Sequence, residues 1–498
     1  MSELFPGLPE PPPPSEPRVA SAVILWRDGR RGREIFWVKR GALRFAGGFY
    51  AFPGGRLDEA DRRVPVPGLA GDEAALAACA AREIFEETGV LLARGPRLPP
   101  EERAAARRGL LDGSLAFADF LARSRLAVDA ARLQPAGRWI TPPQFPLRYD
   151  AYVFLARLPE GEEAEVWPGE LASGEWIAAA EAVERWEKGA VLLHPPNLWG
   201  VQCLARSGPP GCLPLLRAPP ATEGFVTRRI EFQRGLFLAA LRTPTLPPAT
   251  HTNAWIVSLG GEELAVVDPG SPYEEEQAIL ERVLADLGAE GLELREIWLT
   301  HAHRDHVSGV AALRARHDVV LRAHREVAER LPREAGGSVP LEDGDVLHRR
   351  YRALHTPGHA RGHVAFLDDR TGALLAGDMV STLSTIVVDP PDGDMADYLR
   401  SLERLRDLGP RTLFPAHGPP TQGAVEKLDE YLAHRREREA KVVAALDRPG
   451  TLDEVTARAY DDTPPFMLPV AARSCLASLE KMARERRAAF DGLRWSRA

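Results

Sequence analysis

"LTHAHRDHVSGV", Leu299 to Val310, sets His301, His303, Asp305 and His306 within six residues, directly after the strand-like run "REIWL". A loop that follows a strand can aim neighbouring side chains at two centres, which a regular helix or strand cannot. Imidazole and carboxylate donors suit Zn2+. So dense a cluster reads as a ligand set rather than as scattered histidines. Further pieces follow in chain order: His359 in "LHTPGHARGH", Asp378 closing the apolar run of "LLAGDMV", and His417 in "LFPAHGP". Upstream, Asp268 ends the apolar run of "AVVDPG" near the same rim. Between about Arg228 and Ala433, strand-like and helix-like periods alternate, which predicts an α/β domain with the candidate donors at strand ends.

A second chemical stretch lies far upstream. In "AAREIFEETGV", Glu83, Glu86 and Glu87 stand at i, i+3 and i+4, so a helix from about Glu73 to Glu87 puts all three on one face. Three like charges that close repel one another unless a hard cation such as Mg2+ sits on them. Arg82 can hold a carboxylate in place, and Gly89 ends the helix as a C′ glycine does. The loop "FYAFPGGRLDEAD" upstream supplies Gly54 and Gly55.

Around these two stretches the chain divides by composition. Its 498 residues predict about two to four domains. Residues 1–18 read as a disordered proline-rich leader without the basic start and apolar core of a secretory signal. Residues 19–205 read as a first α/β domain, 206–227 as a Pro/Gly-rich linker, 228–433 as the second α/β domain and 434–498 as a small helical module. No apolar run approaches the roughly 18 residues that span a bilayer. Four cysteines without CxxC spacing predict small buried hydrophobes in a reducing cytoplasm. A net charge of -8 excludes nucleic-acid binding over the whole surface, though not at a local basic patch.

"FPGGRLDEAD" and "AAREIFEETGVLL" together resemble the Nudix hydrolases, whose box runs Gly, five residues, Glu, seven residues, Arg-Glu, then Glu-Glu and Gly. The resemblance implies an α/β/α sandwich whose box helix holds Mg2+ or Mn2+ against a diphosphate. It makes Glu83, Glu86 and Glu87 metal ligands, Glu83 and Glu86 the catalytic candidates, Arg82 their orienting partner, and Gly54 and Gly55 the loop glycines. This chain departs from the box, because "DEADRRVPVPGLAGD" separates Gly55 from Arg82 and Ala74 stands eight residues before Arg82, where the early Glu is expected. Similar insertions, together with "RWITPPQFPLRYDAYVFLARLP", resemble the coenzyme A diphosphatase branch. That branch implies a nucleoside diphosphate-linked substrate such as coenzyme A or an acyl derivative.

The histidine series resembles the metallo-β-lactamase fold hydrolases, which implies an αββα sandwich. By that resemblance His301, His303 and His359 bind one zinc, Asp305, His306 and His417 the other, and Asp378 bridges them. The pair shares a water, lowers its pKa and generates the attacking hydroxide, with Asp305 also a catalytic candidate. Fe and Mn also suit such donors. Asp268 orients a ligand through a hydrogen bond, and His363 supports the site without ligating. "PPATHTNAWIVSLG", "AGDMVSTLSTIVVDPPDGDMADYLRSLERL" and the tail after "AHRRERE" resemble the lactamase-beta-like protein 2 family, with His251 where that family has a glycine and a winged-helix module at the C-terminal end. The combined expectation is a bifunctional hydrolase acting on a nucleotide or acyl-coenzyme A-like molecule, with no membrane partner. The alternative is an endoribonuclease acting on single-stranded RNA, with the Nudix half a nucleotide-binding or sanitising module. Oligomeric state is not legible.

Overall fold

The computed structural model describes residues 14–29, 32–41, 47–145, 147–167, 169, 171–219 and 222–498. Most of the expected leader, residues 1–13, lies outside them. Two compact units result, dividing between Arg234 and Gly235.

The first unit is built on a mixed sheet. Strand Arg18–Gly29 pairs parallel with Tyr149–Arg157 and antiparallel with Gly32–Arg40 and Gly54–Arg56. Gln134–Ile140 and Leu171–Ala178 extend it on either side. Alternation along the strands decides the layers, because successive side chains point to opposite faces. Val23, Leu25, Phe36 and Val38 face one core with helix Gly71–Thr88. Ile24, Ile35 and Trp37 face the other, which helices Ala179–Glu187 and Pro195–Ser207 close with Trp186, Leu198 and Val201. The three layers are the α/β/α sandwich expected.

Residues 206–227 are not a free linker. Cys212 and Leu216 are buried in the second of those cores, and Val226 pairs with Ile140 at the sheet edge. Proline and glycine density suggested a spacer, but the apolar residues between them have a core to enter.

In the second unit, strands Leu236–Arg242, His251–Gly260, Glu263–Val267, Glu293–Trp298 and Val320–Ala323 follow one another in one sheet. Tyr351–His355, Val364–Asp368, Ala373–Gly377 and Thr412–Pro415 follow in another. The sheets face each other through Trp255 on Phe414 and Trp298 on Tyr351 and Phe366, with ring centroids 5.0–5.2 Å apart. Helix Glu274–Gly288 covers the outer face of the first sheet and helix Met395–Asp407 that of the second. This is an αββα sandwich.

Helix Ala424–Ala445 runs straight through the boundary expected at residue 434. Its first half buries Leu428 and Leu432 against the second sheet, and its second half gives Val442 and Ala445 to a small core of the tail. Helices Leu452–Ala459 and Leu468–Arg484 and the hairpin Ala488–Phe490 with Trp495–Arg497 complete a winged helix. The Thr451 and Glu454 capping box fixes where the first of these helices starts. Among the described residues no helix is long and apolar enough to cross a membrane, and all four cysteines are buried and free.

Candidate metal centres

Strand direction gathers the histidine site. Glu263–Val267, Glu293–Trp298 and Val320–Ala323 run parallel, and two successive antiparallel pairings followed by a parallel one align Tyr351–His355, Ala373–Gly377 and Thr412–Pro415. Asp268, His301, Asp378 and His417 follow the carboxyl ends of four of these strands, and His359 follows a fifth. The segments that follow the strands at one edge of each sheet therefore carry every donor. The opening stretch is not all loop, since Asp305 and His306 sit in a single helical turn, Arg304–Val307.

One donor atom each from His301, His303 and His359 lie within 4.8 Å of one another, and so do those from Asp305, His306 and His417. His303 Nδ1 is 3.0 Å from both His301 Nε2 and His359 Nε2. That is close to the roughly 3.3 Å between ligand nitrogens around a tetrahedral zinc with bonds of about 2.0–2.1 Å. Asp378 stands between the two sets, with Oδ1 3.3 Å from His417 Nε2 and Oδ2 3.6 and 3.5 Å from the Nε2 atoms of His306 and His359.

The far sides of the rings are tied down. His306 Nδ1 donates to Asp268 Oδ2 at 2.8 Å. Thr300 donates its backbone N–H and its hydroxyl to the two Asp268 oxygens and accepts from His301 Nδ1. Asp268 takes φ +54°, a strained value for a non-glycine residue, and these hydrogen bonds fix it there. His359 Nδ1 donates to the Val387 carbonyl and His417 Nδ1 to the His251 carbonyl. His251, standing where the resemblance has a glycine, thus serves the site through its backbone. His363 uses both nitrogens elsewhere: Nδ1 contacts the Thr356 hydroxyl and Nε2 accepts the Asp378 backbone N–H. It supports the Asp378 turn.

Asp392, which the sequence did not single out, lies 3.5 Å from His303 Nε2 and also pairs with Arg330. A carboxylate behind a histidine raises its basicity as a ligand. Nothing in "PPDGD" marks this aspartate, because its place depends on how that loop folds back over His303.

Two buried atoms test whether cations fit. His306 Nε2 and Asp378 Oδ1 have no hydrogen-bond partner although both residues are buried. Such atoms cost free energy unless something satisfies them, and both point into the cluster. Burial holds His301 and His363 well below the ordinary imidazole range and His359 down to about 4. Burial opposes charge on His417 too, but Asp378 and Asp305 overcome it and hold the ring up to about 10. His306 is likewise raised against burial by Asp305 and Asp378. Without cations, two imidazolium rings supply the positive charge that the carboxylates demand.

The acidic helix face is organised differently. Arg82 Nη1 contacts Glu83 Oε1 at 2.8 Å and Glu86 Oε2 at 3.1 Å, and Glu87 Oε2 accepts the Gly54 N–H. Among the described residues these three carboxylates do not form a converging donor set of the kind the histidines form. Burial raises Glu83 to about 7 and raises Glu86, Arg82 acting against it in both. Gly55 is needed beside them, since a Cβ there would lie 2.5 Å from the Glu83 carboxyl. Gly89 takes φ +74° at the helix end, as its position predicted.

The early acid of the box is neither Ala74 nor its neighbour Glu73 but Asp61. Buried, it takes Arg82 Nε and Nη2 in a two-pronged pair at 2.8 Å each. Its signal was in the sequence: Gly55, five residues, then an acid. The extra residues fall after that acid rather than before it, and they leave the pair intact.

Comparison with known proteins agrees with both sandwiches. Residues 247–417 match the model of the metallo-β-lactamase superfamily, residues 62–204 that of the NUDT19 Nudix domain, and residues 451–495 that of the β-lactamase-associated winged helix domain. The lactamase-like protein vrtG of Penicillium aethiopicum is 30% identical over 57% of this chain and 90% of its own length. The chain belongs to the metallo-β-lactamase superfamily. Other similar members are the lactamase-like protein adaB of Aspergillus niger, 32% identical over 40% of this chain, and a β-lactamase-like protein 2 homolog of Caenorhabditis elegans, 27% identical over 47% of this chain and 79% of its own length. The match spans 59% of adaB. Among solved structures, a metallo-β-lactamase family protein from Thermus thermophilus aligns with 54% of this chain and 100% of its own (27% identity, TM-score 0.46), and a Nudix hydrolase from Alicyclobacillus acidocaldarius with 42% of this chain and 96% of its own (29% identity, TM-score 0.33). The metallo-β-lactamase superfamily and the Nudix domains are both families of metal-dependent hydrolases. The winged helix is the module its tail was expected to be.

Proposed function

We propose that the chain is a bifunctional metal-dependent hydrolase whose dinuclear centre cleaves an ester or thioester and whose Nudix half cleaves a nucleoside diphosphate linkage. Acyl-coenzyme A is the substrate class that carries both bonds. The observation that carries the reading is the pairing of two triads around Asp378, with His306 Nε2 and Asp378 Oδ1 between them making no hydrogen bond.

In this reading His301, His303 and His359 hold one cation, Asp305, His306 and His417 the other, and Asp378 reaches both. Two zinc ions there would supply Lewis acidity and an activated water, with Fe or Mn as alternatives. The chain's own part is to fix the donors. Asp268 and Thr300 set the protonated nitrogens of His306 and His301, while Asp392 and the carbonyls of Val387 and His251 set those of His303, His359 and His417. In the Nudix half, Glu83, Glu86 and Glu87 are the ligands for Mg2+ or Mn2+, and Arg82, gripped by Asp61, positions the first two.

One observation weighs between the small-molecule and RNA readings. Five basic side chains of the winged-helix region pair with carboxylates: Arg438 and Lys441 with Asp462, Lys481 and Arg487 with Glu439, Arg494 with Glu454. Phosphate contacts by these groups would first break those pairs, which favours the small-molecule reading. The test offers acyl-coenzyme A and single-stranded RNA in parallel under defined metals. Free thiol and 3′,5′-ADP without RNA fragments are expected. RNA fragments without thiol would overturn the assignment.

A further inference from the structure

A second group of metal-ligating side chains lies outside the seven-residue cluster. His324 follows strand Val320–Ala323 and caps the short turn Arg325–Ala328, which carries Glu326. His355 ends strand Tyr351–His355. Both strands end on the sheet edges that carry the dinuclear donors, and the loop after His355 leads to His359. One donor atom from each of His324, Glu326 and His355 lie within 4.8 Å of one another.

The hydrogen bonds leave one ring nitrogen open and a second held only by a long contact. His355 Nε2 meets the Arg361 carbonyl at 3.0 Å, and a carbonyl only accepts, so this nitrogen carries the proton and Nδ1 keeps its lone pair. A ring N–H held by a backbone carbonyl is the usual companion of a ligating histidine. His324 Nδ1 faces Glu326, with the backbone N–H at 3.4 Å and Oε2 at 3.7 Å. The first contact is the long cap of the Arg325–Ala328 turn, a weak hydrogen bond that Nδ1 gives up on binding a metal. The two rings stack at 4.4 Å with their planes 8° apart.

Packing brings the loop onto this group. A Cβ on Gly362 would lie 3.0 Å from both His324 Nδ1 and Glu326 Cβ, so the chain passes close over the pair. His324 is buried and Glu326 half-buried, which leaves a solvent-side position for water.

We propose that His324, Glu326 and His355 bind a third divalent transition-metal ion, of the zinc class, that fastens the segment from His355 to Gly362. Two imidazoles and a carboxylate match zinc, with water as a fourth ligand. Bonds of about 2.0–2.2 Å require the three donors to close in and the two stacked rings to tilt out of parallel, because their lone pairs lie in the ring planes.

The test uses the full chain with Zn2+ as the probe and Mg2+ in excess. Crystals grown at three molar equivalents of zinc are measured at the zinc absorption edge, and zinc content after dialysis is compared among the wild type, Glu326→Gln and His355→Gln. The expected result is a third anomalous peak among His324, Glu326 and His355, and one equivalent of zinc fewer in each variant. Glu326 is the safer variant because its side chain is partly exposed, and retention of the two dinuclear peaks shows that the fold survives. Two dinuclear peaks with no third, equal zinc content in wild type and variants, or a third peak only at millimolar zinc would each overturn the proposal.

Discussion

The two candidate centres solve the same problem, holding charge for a cation, in opposite ways. In the histidine centre the donors converge, two buried atoms lack hydrogen-bond partners, and the only positive charge among the donors comes from the donors themselves. In the carboxylate centre Arg82 already occupies the middle, contacting Asp61, Glu83 and Glu86. In the proposed reading the first is preformed for cations, and the second exchanges a guanidinium contact for a metal, so its affinity for metal is set partly by how firmly Asp61 keeps Arg82 to itself.

The sharpest way to break this comparison is to remove a bridging or held residue from each side. Asp378→Ala leaves both triads without their shared carboxylate, and thiol release should fall to background while 3′,5′-ADP release continues. Asp61→Ala leaves Arg82 buried without its two-pronged partner, a loss of about 3 kcal/mol by analogy with other broken buried pairs. Melting of the Nudix unit should shift down accordingly, and diphosphate cleavage should drop with thiol release unchanged. Smaller is the effect of Asp268→Asn, which unties His306 and Thr300. It should cost about 10–100-fold in zinc affinity or thiol release, measured by competition with a chelator.

The pH dependence sharpens the same contrast. Folded metal-free protein holds the Glu83 carboxyl proton up to about pH 7, whereas the unfolded chain releases it near about 4.3. Stability tied to this raised pKa is therefore complete below the unfolded value and is lost as pH rises through 7. Glu83→Gln cannot ionise. In chelator-treated protein its melting temperature should match the wild type at pH 5 and exceed it by a few degrees at pH 8, and an equal gap at both values would contradict the assignment.

Much of this was legible because local spacing and tertiary placement agree at the histidine centre. The strand-end rule put Asp268, His301, Asp378 and His417 on common edges, and the i, i+3, i+4 pattern put the glutamates on one face of helix Gly71–Thr88. What escaped depended on contacts made at long range. Asp392 reaches His303 only because its loop folds back, and the His324–His355 pair joins two different sheets. Asp61 was readable but counted from the wrong end, since the spacing is kept from Gly55 and not from Arg82. The segment 206–227 misled because its prolines hide Cys212 and Leu216, which belong to a core.

The most direct test of the central claim, two separate hydrolytic centres in one chain, is a single acyl-coenzyme A assay with thiol and 3′,5′-ADP read together for the wild type, His303→Ala and Glu86→Gln. The account predicts both products from the wild type, loss of thiol alone in His303→Ala, and loss of 3′,5′-ADP alone in Glu86→Gln. Both products vanishing together in either variant, or neither product from the wild type, would contradict it.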